Sequence, residues 1–532
     1  MADPSPVLSL PDVEYLELYN RSGKPISLKG WKLVTGSRVA ILPDSLIGPD
    51  TYITLCSKTN IAAMSPFSRV VGLGSLSLTN GGMLLALYNN RGQLVYSINY
   101  LNKWWPSDKR GGGYSLEMID KDNPCGGMEN WEVSADKRGG SPSEKNSVAG
   151  LNADIIAPTV ERVNVLESGE VILIFNERMD SLNAVTGSEI EFSGHQIGKR
   201  QLESPSFRNL RFTPDPPLVN GKEYQFIIRN IADCSGNLLR ESVHQIGLPS
   251  KAAYGDIVIN EVLFNPRPSG VDYVELFNKS DKYLSLKNWS LGNTKNDSAA
   301  VFSKISTNEV SIPPHSYLAL TTDVVVVMEQ YPTSQSRYFL EMPSMPSFSD
   351  VDGGVILKDA SDIIFDKLTY SERQHFELFS NVQGVSLEKI DASVSSLERS
   401  NWHSAASTAG FGTPGYSNSQ VKSESGEDMF TVAPEAISPD NDGLDDYATI
   451  KYSQKMSGRI ASVRIYNVGG NLIKNLLLNQ LIGTHGDIQW DGTDGRGEMV
   501  PTGYYLLLID IFDATGNKEQ YKIRIVVARR DR

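Results

Sequence analysis

Cysteine is scarce in this chain: three residues in 532, at Cys56, Cys125 and Cys234. That is too few for a disulfide-stapled scaffold, and the spacings are not those of a zinc site. Cys234 reads as a buried thiol, while Cys56 and Cys125 fall in one candidate domain and are placed for a single bridge if the compartment is oxidising. Basic residues are also short, with 50 Lys and Arg against 63 Asp and Glu for a formal charge of -13. Affinity for a phosphate backbone depends mainly on Lys and Arg displacing counterions, so no nucleic-acid partner is expected. No run of 18 apolar residues exists, which excludes a membrane-spanning helix. The opening "MADPSPVLSLPDVEYLELYN" has neither the basic start nor the apolar core of a signal peptide. H-E-x-x-H and G-x-S-x-G are missing, and His195, His244, His315, His375, His403 and His485 are scattered. A metalloprotease or serine hydrolase therefore lacks its signature.

What is present begins with apolar material: hydrophobic residues are 40% and charged residues 21%, enough to offset the entropy of folding. The length suggests three to five domains of ordinary size. One unit is written twice. "EYLELYNRSGKPISLKGWKL" from 14 aligns with "DYVELFNKSDKYLSLKNWSL" from 272, so that Glu17 meets Glu275 and Trp31 meets Trp289, both 258 residues apart. Further on, "YSLEMID" and "VSLEKID" bring Leu116 to Leu387 and Trp131 to Trp402 at an offset of 271. Self-similarity of this kind speaks for architecture. Segments such as "EYLELYN", "MLLALYN" and "GVILKDA" alternate with period two between Gly, Asn, Asp and Pro clusters, the pattern of half-buried strands and turns. Helical periodicity is rare, and Thr322 to Tyr331 is the best candidate for a short helix. The fold class follows as all-β, four Ig-like β-sandwiches in series.

At "DIVINEVLFNPRPSGVDYVELFNKSDKYLSLKNWSL" the second copy resembles the bacterial lamin tail domain, an immunoglobulin-like sandwich opening on an "INE" strand, followed by "YVELYN" and "L-x-G-W-x-L" strands. The resemblance gives a first copy over 1–148 and a second over 254–420. Ile259, Asn260 and Glu261 precede Asn265 and Pro266 in the second copy, whereas the first has only Asp3 and Pro4 to match that last pair. The first copy thus lacks its first strand, and the natural chain is expected to extend upstream of Met1, where a signal peptide would sit. An unpaired strand edge left by that loss must be covered or it weakens the first domain. Residues 154–249, with "VILIFNERMD" and the "ADCSGN" turn, resemble bacterial Ig-like domains of surface proteins. "KSESGED" at 422 to 428 is a polar linker. Residues 429–532 are similar to the Ig-like domain of flagellar hook-capping proteins, whose C-terminal relatives serve as sorting signals for type IX secretion in gliding Gram-negative bacteria.

Two kinds of binding site are suggested by residue type. In "SPDNDGLDD", Asp440, Asp442, Asp445 and Asp446 offer hard oxygen ligands for Ca²⁺ in a Gly-containing loop; the alternative is a network of Asx-turns. "WDGTDGRG" at 490 to 497 reads as a turn. Trp104 and Trp105 in "LNKWWPSDKRGGG" are suited to stacking on a sugar or anchoring a partner, or else one of them caps the sandwich core. Glu17 and Glu275 sit in separate copies, so they do not make the carboxylate pair of a glycosidase; they are expected to satisfy buried backbone or tether a loop. The recurrence of Trp31, Trp131, Trp289 and Trp402 points to core packing. Together these readings describe a non-enzymatic secreted or cell-surface bacterial protein for adhesion, scaffolding or surface assembly, its partner a cell-surface protein or glycan. The rival is the accessory portion of an extracellular hydrolase or nuclease with its catalytic domain upstream. Lamina-like scaffolding inside a cell conflicts with the acidic balance and the absence of a coiled-coil rod.

Overall fold

The computed structural model describes residues 1–528 apart from 68, 295–299, 423–428 and 514, so the polar linker lies outside the described residues except for Lys422. As the alternating patterns require, the chain is nearly all β, with 41% of residues in strands and 8% in helices. The short helix forms over Val324–Gln330, where the Asp323 carboxylate accepts from the Val326 N–H and caps the first turn. Two compact units form, Met1–Ile246 and Gly247–Arg532.

The second unit holds the complete copy of the repeat. Its larger sheet runs in the order Phe339–Glu341, Tyr317–Thr321, Tyr273–Asn278, Ile257–Leu263, Leu387–Lys389, Trp402–Ser404. The "INE" strand is therefore central: it pairs with Tyr273–Asn278 on one side and Leu387–Lys389 on the other, and all seven of its residues are buried. Its register shifts between Ile259 and Glu261. Such a bulge breaks simple alternation. Ile257, Ile259, Val262 and Phe264 join the core with Val274, Leu276, Trp289, Leu387 and Trp402, while the side chains of Asn260 and Glu261 bond to the closing segment at Thr413 and Asn418. A four-stranded sheet of Phe302–Lys304, Ser290–Thr294, Asp352–Lys358 and Ile364–Ser371 supplies the opposite face. The C-terminal part of the unit has a five-stranded and a three-stranded sheet around Trp490, which is fully buried and donates to the Thr493 carbonyl at 2.9 Å. It meets the closing segment of the repeat directly: Thr484 N–H donates to the Ser419 carbonyl and Gln420 Nε2 to that of Ile482.

In the first unit the counterpart of the large sheet is split. Leu16–Asn20, Thr51–Ser57 and Val70–Leu73 form one sheet; Leu116–Met118 and Trp131–Val133 form a separate pair. The strand that joins these two groups in the second copy has no equivalent among the described residues. The four-stranded sheet of Arg38–Ile41, Lys32–Thr35, Gly82–Tyr88 and Leu94–Leu101 is retained. The following domain packs a four-stranded sheet, Val160–Val165, Val171–Phe175, Asn209–Phe212 and Gln201–Leu202, with a three-stranded one, Glu189–Phe192, Glu223–Ala232 and Leu238–Gly247.

The cysteine pairing differs from the one expected. Cys125 is bonded to Cys234, with Cα atoms 5.7 Å apart, and Cys56 is a buried free thiol. Cys56 lies in the core strand Thr51–Ser57 and packs with Leu10, Val13, Tyr15 and Met64, so it cannot reach a surface turn. Cys125 and Cys234 each occupy a turn, one in the first repeat and one in the domain after it. The bridge therefore joins two domains that sequence separates by 109 residues.

Candidate functional site

The repeat gathers acids at the centre of its large sheet. In the second copy, Glu261 Oε1 accepts from the Tyr273 hydroxyl at 2.7 Å, the Thr413 N–H at 2.8 Å and the Ser386 hydroxyl. Glu388 accepts from the Ser419 hydroxyl and the Gln420 N–H, and Glu275 from the Gly415 N–H and Asn260 Nδ2. All three carboxyl groups are fully buried. Burial raises each of them above the ordinary carboxylate range, and the neighbouring Glu261 charge raises Glu275 and Glu388 further. Geometry requires a proton here. The Thr413 hydroxyl lies 3.1 Å from Glu261 Oε2 and 2.8 Å from Glu388 Oε1, and a hydroxyl has one hydrogen to give. One of the two carboxyls must therefore donate to it. The cluster is closed to solvent, so its acids hold the closing segment to the sheet and offer no cleft to a sugar.

The first copy reproduces this cluster with one member gone. Glu17 stands for Glu275 and accepts from the Ser143 N–H, the counterpart of Gly415. Glu117 stands for Glu388 and accepts from the hydroxyls of Ser141 and Ser147, each at 2.7 Å. Tyr15, Ser115 and Asn146 stand for Tyr273, Ser386 and Asn418. Glu261 has no counterpart among the described residues. Where its strand would run, a cleft of about 940 Å³ opens between Leu16–Asn20 and Leu116–Met118. Met1 occupies the position of Leu263: its amine donates to the Tyr15 carbonyl and its carbonyl accepts from the Tyr15 N–H, both at 3.1 Å. The Gly113 N–H bonds to Asp3 as that of Gly384 bonds to Asn265, which fixes the alignment of the two copies.

Burial lifts the Glu17 carboxyl to about 8. A carboxyl raised in the folded state stabilises it most below the ordinary carboxyl value and loses that contribution as pH climbs towards the raised one. The first unit's unfolding temperature is therefore expected to fall between about pH 5 and 8, by at most roughly 1.4 kcal/mol of stability per pH unit. The Glu17→Gln variant should flatten this slope; an unchanged profile in calorimetry would assign it to other groups.

Trp104 and Trp105 face inward. Trp105 is 7% exposed, donates from Nε1 to the Tyr114 carbonyl and packs edge-on against Tyr100, so of the two roles open to the pair it takes the core-capping one. Trp104 is half-buried beside it, on the wall of the same cleft. Trp289 and Trp402 lie in the core, while Trp31 and Trp131 are left half-buried in the open copy. In the C-terminal loop Asp440, Asp442 and Asp446 converge and Asp445 does not. Asp446 accepts from the N–H groups of Asp440, Asn441 and Gly443, and Asp442 from that of Leu444. Desolvation opposes ionisation of Asp446, but these backbone donors outweigh it and hold its carboxyl below the usual range. The Asx-turn network is thus present, and the same three carboxylates lie close enough together to hold a cation. In "WDGTDGRG" Asp494 accepts from Arg496 and Glu498 N–H groups, closing a turn as expected. A second acidic group, Asp154, Glu177 and Asp233, went unread because its members are far apart in sequence. Asp233 caps the "ADCSGN" turn through three N–H groups, and burial with the charges of Asp154 and Asp233 raises Glu177 to about 7.

The lamin tail domain family model matches residues 1–102 and 250–372, and the CHU_C type IX secretion signal domain model matches residues 431–527. No curated protein matches the chain. Solved structures similar to it include CopC from Methylosinus trichosporium OB3b, at 11% identity over 20% of this chain and 98% of that one, with a TM-score of 0.14. PorZ, a surface component of the type IX secretion system of Porphyromonas gingivalis, is 11% identical over 84% of this chain and 56% of its own, with a TM-score of 0.17. Domains 1–6 of the bacterial surface layer protein SbsC give 11% over 71% and 55%, with a TM-score of 0.17. Likenesses this distant carry no argument about fold or function.

Proposed function

We propose that this chain, which carries two lamin tail domains and a C-terminal CHU_C type IX secretion signal domain, works outside the cell as a non-catalytic structural or adhesive protein. The signal domain marks it as secreted or exported to the surface. Its partner on this reading is a cell-surface protein or glycan. The observation that supports the reading is how the acids of the repeat are used. Glu261, Glu275 and Glu388 are buried and bonded to the closing segment, and Glu117 makes the same kind of bonds in the first copy. A glycosidase needs two carboxyls facing a substrate cleft, and Glu261, Glu275 and Glu388 face their own loops. The purified chain should turn over no DNA, peptide or polysaccharide. Cells lacking it should attach or assemble their surface layer poorly, and removal of residues 431–527 should keep the protein inside the cell. Hydrolysis by the purified chain, or normal attachment and surface assembly in its absence, would overturn the proposal.

A further inference from the structure

The second lamin tail domain carries a small pocket on the side of its large sheet. A cavity of about 300 Å³ opens where the start of the strand Tyr317–Thr321 meets residues 333–338 and the closing segment at 415–417. Each segment is held from behind. The Tyr317 ring stacks on Phe277 with centroids 4.7 Å apart. The Thr333 and Tyr416 hydroxyls are hydrogen-bonded at 2.7 Å. Gly415 has φ +92°, its N–H is bonded to the buried Glu275, and a Cβ on it would come within 3.1 Å of Tyr338 Cβ. Glycine is what lets the closing segment and Tyr338 approach this closely. Walls fixed in this way keep their shape without a ligand, which lowers the cost of binding one.

The lining mixes rings with neutral polar groups. Tyr317, Tyr338 and Tyr416 are half-buried around it, and Ser316, Thr333 and Gln335 add hydroxyls and an amide. The Gln335 side chain is exposed and has no bond among the described residues. Burial pushes the Tyr416 hydroxyl up to about 12, so it keeps its proton. Among the described residues no Asp, Glu, Lys or Arg lines the cavity, and its one histidine, His315, is bonded to Asp281 at 2.8 Å. The first copy shows that the fold does not require this set. Thr54 and Ala319 lie opposite Glu17 and Glu275, and each pairs with a parallel strand, at Val70 and Phe339. Arg69 therefore stands where the second copy has Tyr338. Ser143 matches Gly415, so Glu144 and Lys145 stand where it has Tyr416 and Ser417. The same fold thus carries charged residues at these places in one copy and aromatic or hydroxyl residues in the other.

We infer that this pocket binds a neutral sugar ring, a hexopyranose unit of a glycan. Such a ring has an apolar C–H face to lie against a tyrosine and hydroxyls that both donate and accept, the mixture that the lining offers. The volume is at the small end of the range for ligand sites, about 300 to 1,000 Å³, and suits a single ring. A wholly apolar ligand would leave the polar groups unpaired, and a charged one would meet no counter-ion on the wall. Arg337, with its guanidinium 4.7 Å from the centre of the Tyr338 ring, further opposes a cation. The inference rests on the adhesive reading only for where the glycan is met. Sugar binding by the purified chain and attachment by cells are separate measurements, so either can fail alone.

The probes are the methyl glycosides of glucose, galactose and mannose and an array of uncharged and acidic glycans, each presented to the full chain. An uncharged glycan should bind at one site per chain and slow amide exchange in Tyr317–Thr321 and residues 415–417. Tyr338→Arg and Tyr416→Glu, which install the residues of the first copy, should each weaken binding about 10-fold or more while the second unit's unfolding transition stays in place. Gln335→Ala should weaken it about 5-fold, the loss of one hydrogen bond. Gln335 is exposed, so that variant reads the site even where a tyrosine variant fails to fold. Four results would overturn the inference: no uncharged glycan bound by a chain whose second unit is folded, unchanged affinity in the folded variants, preference for glycans bearing a carboxylate, or slowed exchange confined to the first unit.

Discussion

Glu261→Ala is expected to destabilise the second unit by roughly 3–5 kcal/mol, as much as emptying a buried aromatic site in its core. The carboxylate accepts from the Tyr273 and Ser386 hydroxyls and the Thr413 N–H, and all of these residues are at most 1% exposed. Alanine leaves several buried donors with nothing to bond, and each such group costs on the order of 1–3 kcal/mol. Rotation of a hydroxyl recovers part of this; the Ser386 hydroxyl already lies 3.3 Å from the Phe411 carbonyl. In calorimetry of the full chain the second unit's transition should drop by about 10 °C while the first unit's stays fixed. Glu261→Gln separates hydrogen bonding from charge. Its amide oxygen can take the three donors, and its NH₂ can donate to the Thr413 hydroxyl as a protonated Glu261 would, leaving that hydroxyl to donate to Glu388. The Gln variant should cost less than about 1 kcal/mol, since it preserves the pairing of every buried donor. If Gln costs as much as Ala, the shared proton resides on Glu388.

How much of this was legible in the sequence depends on distance along the chain. The repeat and the β-rich sandwiches it builds could be read, because the evidence for each is a local string matched to a second string. The core roles of Trp289 and Trp402 followed from recurrence. The tethering by Glu17 and Glu275 was also foreseen, and the structure names the tethered groups as the N–H of Ser143 and of Gly415. Glu261 was visible as part of the "INE" motif, yet its place in the acid cluster depends on a bulge, which puts Asn260 and Glu261 on one face where alternation would part them. Cys125 and Cys234 pair because two turns from different domains meet, and no periodicity encodes such a meeting. The same is true of Asp154, Glu177 and Asp233. The sequence left Trp105 open between partner contact and core capping, because only the fold decides that its ring turns back onto Tyr100.

Reduction of the Cys125–Cys234 bridge is expected to be the largest perturbation of the first unit. The bridge closes a loop of 109 residues, which restricts the unfolded chain by an amount on the order of 4–5 kcal/mol. Reductant, or Cys125→Ser, should lower the first unit's transition by about 10 °C or more and expose the segment between the repeat and the next domain to protease. The chain supplies its own control. All three cysteines lie before residue 247, so the second unit's transition should not respond to reductant. Cys56 gives a second check, since burial raises its thiol and keeps it from reagents in the folded protein. Native oxidised protein should therefore show no reactive thiol, mildly reduced protein two, and unfolded reduced protein three. An unmoved first transition after two thiols become titratable would mean that the domain contact holds without the bond. The bridge also bears on where the chain matures. Disulfides form and persist in oxidising compartments, so protein held in a reducing cytoplasm should have the lower transition, and export through a type IX signal domain should deliver the more stable form.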